Sequence, residues 1–253
     1  GVKYESLDRN QLHDLEPALD DRFRWGHAFH GGGITTNPGR LVRVLADSFT
    51  THGGTFHKAN VRELKRSDNG THSFTVKTDS GDIGADRLVI AAGAFSHRLA
   101  AQVGDRIPLG TERGYHAVIA EPGVKVNHAV GWKSRAFYAS PMEMGIRLAG
   151  TVELAGLDAP PNYNRADIIA RHAQTMLPGI SGEIASRWIG FRPTLPDSLP
   201  VIGASDHTPG VYYAFGHQHI GLTCGPATGR VVAQLLKGEP SNVDLAPFRA
   251  SRF

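Results

Sequence analysis

Several residues in the last quarter of the chain could do chemistry together. Arg192 sits between Phe191 and Pro193. An arginine in such apolar company is either a structural ion-pair member or a carboxylate clamp, because its planar fork matches two carboxylate oxygens. Gly216, Gly221 and Gly225 punctuate a loop further on, and glycines there let backbone amides approach a ligand closely. Gly216 to Gly221 has Walker-like spacing, but Leu222-Thr223 replaces the Lys-Ser/Thr that a phosphate loop needs. His217 and His219 could suggest a metal pair; no carboxylate or cysteine set at ligand spacing joins them, so metal chemistry is rejected. A Gly-x-Gly-x-x-Gly fingerprint is absent, and so is a nucleophile elbow, which leaves no case for a hydrolase. Asp197 lies in a turn between Pro196 and Pro200, where a structural role is the default.

The elements that position these residues can be read outward from the loop. Val211, Tyr212, Tyr213 and Phe215 form a β-branched and aromatic run that predicts a strand. Beyond Gly225, Val231, Val232, Leu235 and Leu236 make one apolar stripe of a helix stopped by Gly238 and Pro240. The positive end of that helix would suit an electron-rich ring or an anion. Trp188 to Phe191 reads as a strand leading into Arg192. Upstream, Leu88 to Ala92 is a continuous apolar run before Gly93, which predicts a strand buried on both faces and a helix from Ser96.

Nearer the N-terminus, Asp8 and Gln11 have capping-box spacing for a helix to Glu16, and Asn37-Pro38 starts another helix with Leu41, Val44, Leu45 and Ser48 on one face. Gly31-Gly32-Gly33 is a loop, either a flexible turn or a close approach to a ligand. Thr55 to Arg66 and His72 to Thr78 read as a hairpin through Asp68-Asn69-Gly70. Asn69-Gly70-Thr71 matches a glycosylation sequon, read as a chance match. Val118–Ala120, Ala136–Ala139 and Ile146–Thr151 suggest an antiparallel sheet, and Asn164 caps a helix to Leu177 with Ile168, Ile169, Ala173 and Met176 inward.

Composition narrows the class. The 253 residues can bury a sizeable core, with 40% hydrophobic and 20% charged residues. A net charge of +3, evenly spread, gives no footprint for nucleic acid. The single cysteine, Cys224, rules out a disulfide within the chain. With neither a membrane-length apolar run nor a signal peptide at the start, the expected location is cytoplasmic, or peripheral at the inner membrane.

Gly190-Phe191-Arg192-Pro193-Thr194-Leu195-Pro196-Asp197-Ser198-Leu199-Pro200-Val201-Ile202-Gly203 and Tyr213-Ala214-Phe215-Gly216-His217-Gln218-His219-Ile220-Gly221-Leu222-Thr223 resemble signatures of the D-amino-acid oxidase family of FAD-dependent oxidoreductases, in its bacterial D-amino-acid dehydrogenase (small subunit) branch. Ala91-Ala92-Gly93-Ala94, Gly150-Thr151-Val152-Glu153 and Asp244-Leu245-Ala246-Pro247-Phe248 match further blocks, so the resemblance covers nearly the whole chain. It implies a mixed α/β and α+β architecture. A partial FAD-binding domain, a parallel sheet with helices at 31–104 and 188–253, would interleave with an antiparallel-sheet substrate domain at 1–30 and 105–187. Members of the family open with a βαβ unit that seats the FAD pyrophosphate. This sequence starts downstream of it, so the resemblance is to a truncated, C-terminal portion with weak FAD binding of its own. Exposed apolar faces would then call for the missing N-terminal portion or a homo-oligomer.

The resemblance also implies site residues. Gly93 would lie near the FAD and Val61 near its adenine side. Gly216, His217, Ile220, Gly221, Leu222 and Thr223 would line the flavin through backbone groups, with the helix after Gly225 aimed at the ring. Arg192 matches the carboxylate-binding arginine, Tyr138 a substrate-pocket tyrosine, and His219 a polar side chain over the site. The implied reaction is oxidative deamination of a D-amino acid: hydride passes from Cα to flavin N5, and electrons then go to a quinone or other acceptor. Two alternatives stand beside it. One is a catalytically silent fragment or oligomeric scaffold; the other is a sarcosine, glycine or hydroxyproline oxidoreductase of the same family.

Overall fold

The computed structural model describes residues 2–67 and 71–253. β1 (Tyr4–Leu7) pairs antiparallel with β2 (Gly26–Phe29), and α1 (Arg9–Leu15) lies between them in sequence. The capping box is formed as expected: the Gln11 amide donates to the Asp8 carboxylate, and the Asp8 amide donates to Gln11 Oε1. α2 (Pro38–Thr51) starts at Asn37, whose side chain accepts the Arg40 amide at 2.8 Å. Its apolar stripe is uncovered, with Leu41, Val44 and Leu45 all exposed.

β3 (Val61–Arg66), β4 (Phe74–Thr78) and β5 (Gly81–Ala85) form an antiparallel sheet in that order. The strand expected from Thr55 begins only at Val61, because Asn60 is held by the Asp79 carboxylate through both its backbone and side-chain N–H groups. The turn at Asp68-Asn69-Gly70 and the sequon asparagine lie outside the described residues. β5 escaped the sequence reading, since Gly81-Asp82-Ile83-Gly84-Ala85 has one β-branched residue.

β6 (Leu88–Ile90) is followed by Gly93 at φ +55° and α3 (Ser96–Ala100). Next come β7 (Gly110–Ile119), β8 (Val130–Trp132), β9 (Phe137–Met142), β10 (Gly145–Glu153) and α4 (Asn164–Met176). The chain closes with β11 (Ser186–Thr194), β12 (Val201–Ala204), β13 (Val211–Phe215) and α5 (Gly221–Lys237). Three expectations for α4 and β6 need correction. Asn164 is the first helical residue of α4 rather than its cap. Ile168 is exposed, because the inward stripe at helical spacing runs Ala166, Ile169, Ala170, Ala173, Met176 and leaves it about a quarter turn away. β6 is buried on one face only: it ends the sheet order β12-β13-β6, and Val89 is exposed.

The chain divides into two compact units. The first comprises Gly1–Phe56, Gly114–Glu153 and Pro160–Gly190. Its main sheet has the order β11-β7-β10-β9-β8, antiparallel between β8, β9 and β10, and the residues of β7 up to Arg113 and of β11 from Phe191 count with the second unit. One face carries Phe137, Ala139, Ile146 and Leu148, against which α4 buries Ile169, Ala173 and Met176. The second unit comprises His57–Arg113, Leu154–Ala159 and Phe191–Phe253. β6 and β13 run parallel, as the apolar run at Leu88 suggested, while β12 is antiparallel to β13. Its core gathers Phe74, Ile90, Leu195, Val201, Val211, Tyr213 and Phe215. Buried beside Tyr213 is the Asp105 carboxylate, which accepts from Ser205 Oγ and Tyr213 Oη at 2.5 Å each and pairs with His207 Nδ1 at 2.8 Å.

Candidate active site

Register explains why two of the predicted glycines leave the same end of one sheet. Ile90 of β6 is paired with Tyr213 of β13, and the strands are parallel. Gly93 and Gly216 each follow three residues past that pair, so both emerge at the carboxyl ends of adjacent parallel strands. That end is where open α/β sheets present ligands. Each has positive φ, +55° for Gly93 and +87° for Gly216. Their surroundings differ. A Cβ on Gly93 would meet nothing within 4 Å, whereas one on Gly216 would lie 2.6 Å from Leu195 Cδ1. Gly216 is therefore demanded by packing as well as by backbone conformation.

From Gly216 the loop turns back on itself. Gln218 takes φ +49°, and its amide donates to the Pro193 carbonyl at 3.1 Å. This bond ties the loop to the strand residue next to Arg192. His217 Nε2 lies 2.9 Å from Thr228 Oγ1 of α5, and burial pushes the imidazole pKa down. Its side chain thus braces the loop on α5. The Ile220 amide donates to the His217 carbonyl, and the Cys224 amide to the Ile220 carbonyl, closing the first turn of α5.

The helix begins earlier than the sequence suggested. Gly221, Leu222 and Thr223 form its first turn, and Gly225 and Pro226 lie inside it, so its positive end is at Gly221 rather than after Gly225. Proline at the sixth helical position lacks the N–H that would bond the Leu222 carbonyl, which is why the motif reads as loop. The N-cap is Ile220, whose side chain cannot accept a hydrogen bond. Ile220 and Leu222 flank this uncapped end and are 54% and 49% exposed. A dipole end between two exposed apolar side chains fits a flat, electron-rich ring.

Arg192 lies in β11 and is half-buried. Burial lowers its pKa, and the negative charge of Glu112 works in the opposite direction. Glu112, on β7, also reaches the loop: its Oε2 is 3.2 Å from His219 Nε2. Glu112 was missed by the sequence reading. Its only signal was a carboxylate in an otherwise strand-like stretch, which says nothing about a partner more than a hundred residues away.

The structure thus brings Arg192, His217, His219, Gly216 and the first turn of α5 into one neighbourhood within the second unit, with Gly93 on the adjacent strand end. Val61, in the same unit, opens β3 of the other sheet and is partly exposed. Tyr138 belongs to the first unit, as the second residue of β9 opposite Ala149, and is 60% exposed. Its ring lies over Gly131, where a Cβ would be 2.6 Å from Tyr138 Cε1. Among the described residues no group of three or more His, Cys, Asp or Glu could hold a metal, and no helix is long and apolar enough to cross a membrane.

Comparison with known proteins carries the same pattern. A family profile described as FAD dependent oxidoreductase (DAO) matches residues 1–235. A "D-amino-acid oxidase" of Bradyrhizobium diazoefficiens is 40% identical over 257 residues, covering 100% of this chain and 61% of the relative. "D-amino acid dehydrogenase 3" of Mesorhizobium japonicum is 28% identical over 93% of this chain and 58% of its own length. Among solved structures, glycine oxidase from Geobacillus kaustophilus superposes with a TM-score of 0.88 at 25% identity, covering 100% of this chain and 68% of that one. The chain therefore spans about three-fifths of the length of the curated relatives it matches. On its strand-end glycines, its loop-to-helix turn and the match along most of its length, the chain belongs to the DAO family of FAD-dependent oxidoreductases.

Proposed function

We propose that this chain carries the carboxylate-gripping and flavin-contacting parts of an enzyme that oxidises the amine of a small D-amino acid. The observation that supports it most is the hydrogen bond from the Gln218 amide to the Pro193 carbonyl, which joins the arginine strand to the loop ahead of the helix that would face the cofactor. FAD is the cofactor of the family, and bound FAD supplies the hydride acceptor. Gly93, Gly216, His217, Ile220, Gly221, Leu222 and Thr223 would hold it. Backbone at the two strand ends allows close approach, and Ile220 with Leu222 supplies apolar contact. The uncapped N-terminus of α5 would stabilise negative charge arriving on the ring. Arg192 would fix the substrate carboxylate with two parallel hydrogen bonds and orient the Cα–H, a contribution of positioning rather than of bond chemistry.

The test is spectroscopic. Protein given FAD should turn yellow and bleach anaerobically with a D-amino acid, with electrons recovered on a quinone-type dye. Arg192→Lys should raise KM by about tenfold or more while kcat changes less, since a point charge cannot reproduce the fork. A colourless preparation that takes up no FAD would instead favour a silent scaffold. The superposition on glycine oxidase supports a second reading, in which glycine or an N-methyl amino acid is the substrate. Comparing D-alanine, glycine and sarcosine separates the two.

A further inference from the structure

The reaction proposed above makes a demand that Arg192 cannot meet. At neutral pH an amino acid arrives with its amine protonated. Hydride can leave Cα only when a nitrogen lone pair is free to form the C=N bond, so one proton must first be removed. An arginine cannot accept it.

The loop ahead of α5 contains a group that can. The His219 side chain is 54% exposed, and its Nε2 lies 3.2 Å from Glu112 Oε2. A carboxylate only accepts, so Nε2 carries the hydrogen, and in the neutral ring Nδ1 is then the nitrogen with the lone pair. This is the arrangement of a base oriented by a third group. Its position is also apt, because the Glu112 charge acts on Arg192, the proposed anchor of the substrate carboxylate. The other titratable ring of the loop, His217, is braced on Thr228 and turned to that structural task. Among the described residues, Arg192 of β11 feels the Glu112 charge and the positive end of α5 follows His219 in sequence, and Glu112 supplies the negative charge that a protonated imidazole needs beside them.

We propose that His219, held by Glu112, removes the ammonium proton of the bound amino acid. The N–H bond breaks, its electron pair stays on the substrate nitrogen, and the proton goes to His219 Nδ1. A neutral amine and an imidazolium–carboxylate pair result, with no change of oxidation state. This role rests on the amine-oxidising function proposed above, with His219 as the base and Glu112 as a positioning residue.

His219→Gln and Glu112→Gln in the FAD-loaded protein test it, with flavin content and melting temperature as folding controls. For D-alanine, His219→Gln should lower kcat/KM about 100-fold at pH 7 and less at alkaline pH, where more amine arrives neutral. D-3,3,3-trifluoroalanine has a weakly basic amine and needs no base, so the loss with it should be less than about threefold, well short of a general-base contribution. An independent readout uses 2-aminoisobutyrate, which has no Cα–H and cannot react. Its binding should protonate the His219 ring, seen by imidazole nitrogen NMR, whereas isobutyrate should not. Equal losses with both substrates would make the pair a loop tether and overturn the proposal. Unchanged kinetics, or a ring that stays neutral with 2-aminoisobutyrate bound, would also overturn it. A wild-type protein that binds neither FAD nor amino acid would refute the underlying function as well.

Discussion

Replacing Asp105 by asparagine should loosen the segment that leads into β13, by an amount that follows from how the carboxylate is used. Asp105 is 3% exposed. Its Oδ2 accepts from both Ser205 Oγ and Tyr213 Oη, and its Oδ1 pairs with His207 Nδ1. Ser205 Oγ is fully engaged, accepting the amides of His207 and Thr208 while donating to Asp105. An asparagine must therefore put its oxygen at the Oδ2 position and its amide nitrogen towards His207, which can answer by changing tautomer. Both hydroxyl bonds survive but lose their charge assistance, at about 1 kcal/mol each, or about 2 kcal/mol in all. Asp105→Ala removes every acceptor and strands the hydroxyl of the fully buried Tyr213, for about 4 kcal/mol. Hydrogen exchange of the Ser205, Thr208 and Leu88 amides, which bond Val211 O, Ser205 Oγ and Gly210 O, reports this opening. Exchange should speed up about 30-fold in Asp105→Asn and about 1,000-fold in Asp105→Ala. Burial pushes the Asp105 pKa up, but the hydrogen bonds from Ser205, Tyr213 and His207 outweigh it and leave it below the ordinary 3.8. The unfolded chain thus binds the proton first as pH falls. The wild-type advantage over asparagine is complete above pH 3.8 and is lost as pH drops through the lowered folded value. Wild-type exchange rates in Asp105→Asn at pH 7, or a gap that persists undiminished into strong acid, would refute this account.

Two further outcomes can be checked directly. Gly216→Ala should lower the melting temperature by about 5–10 °C, since it adds both left-handed strain and a contact with Leu195 Cδ1; pairing it with Leu195→Ala should recover part of the loss. His116, pushed down to about 4 by burial and by the Arg147 charge, stays neutral when an unfolded histidine would take up a proton. Stability should therefore fall as pH drops from 6.5 towards 4, and His116→Gln should flatten that slope in denaturant titrations.

Where local chemistry decides structure, the residues alone were informative. Asp8 with Gln11 fixed one helix start, Asn37-Pro38 fixed another, and Gly238 stops α5 in the left-handed conformation at φ +75°. Each of these depends on neighbours within a few positions, so the spacing carries the information. The parallel strand at Leu88 and the strand at Val211 were legible because apolar and β-branched runs reflect burial. The start of α5 was misread for the converse reason: Gly221, Gly225 and Pro226 argue against helix locally, and they are accommodated because the buried stripe of Thr228, Val231 and Val232 holds the rest of α5 in place.

For the site, the sequence determined which groups were available: a guanidinium in apolar company, a glycine-marked loop and a helix to follow it. It could not determine that Gly93 and Gly216 share one sheet end, because that follows from the parallel register of strands over a hundred residues apart. Nor could it pair Glu112 with His219, or assign His217 to Thr228 and so leave the neighbouring imidazole facing a carboxylate. Such pairings are set by how the chain closes on itself in three dimensions. Side-chain type is local, whereas partnership depends on contacts that only the folded chain makes.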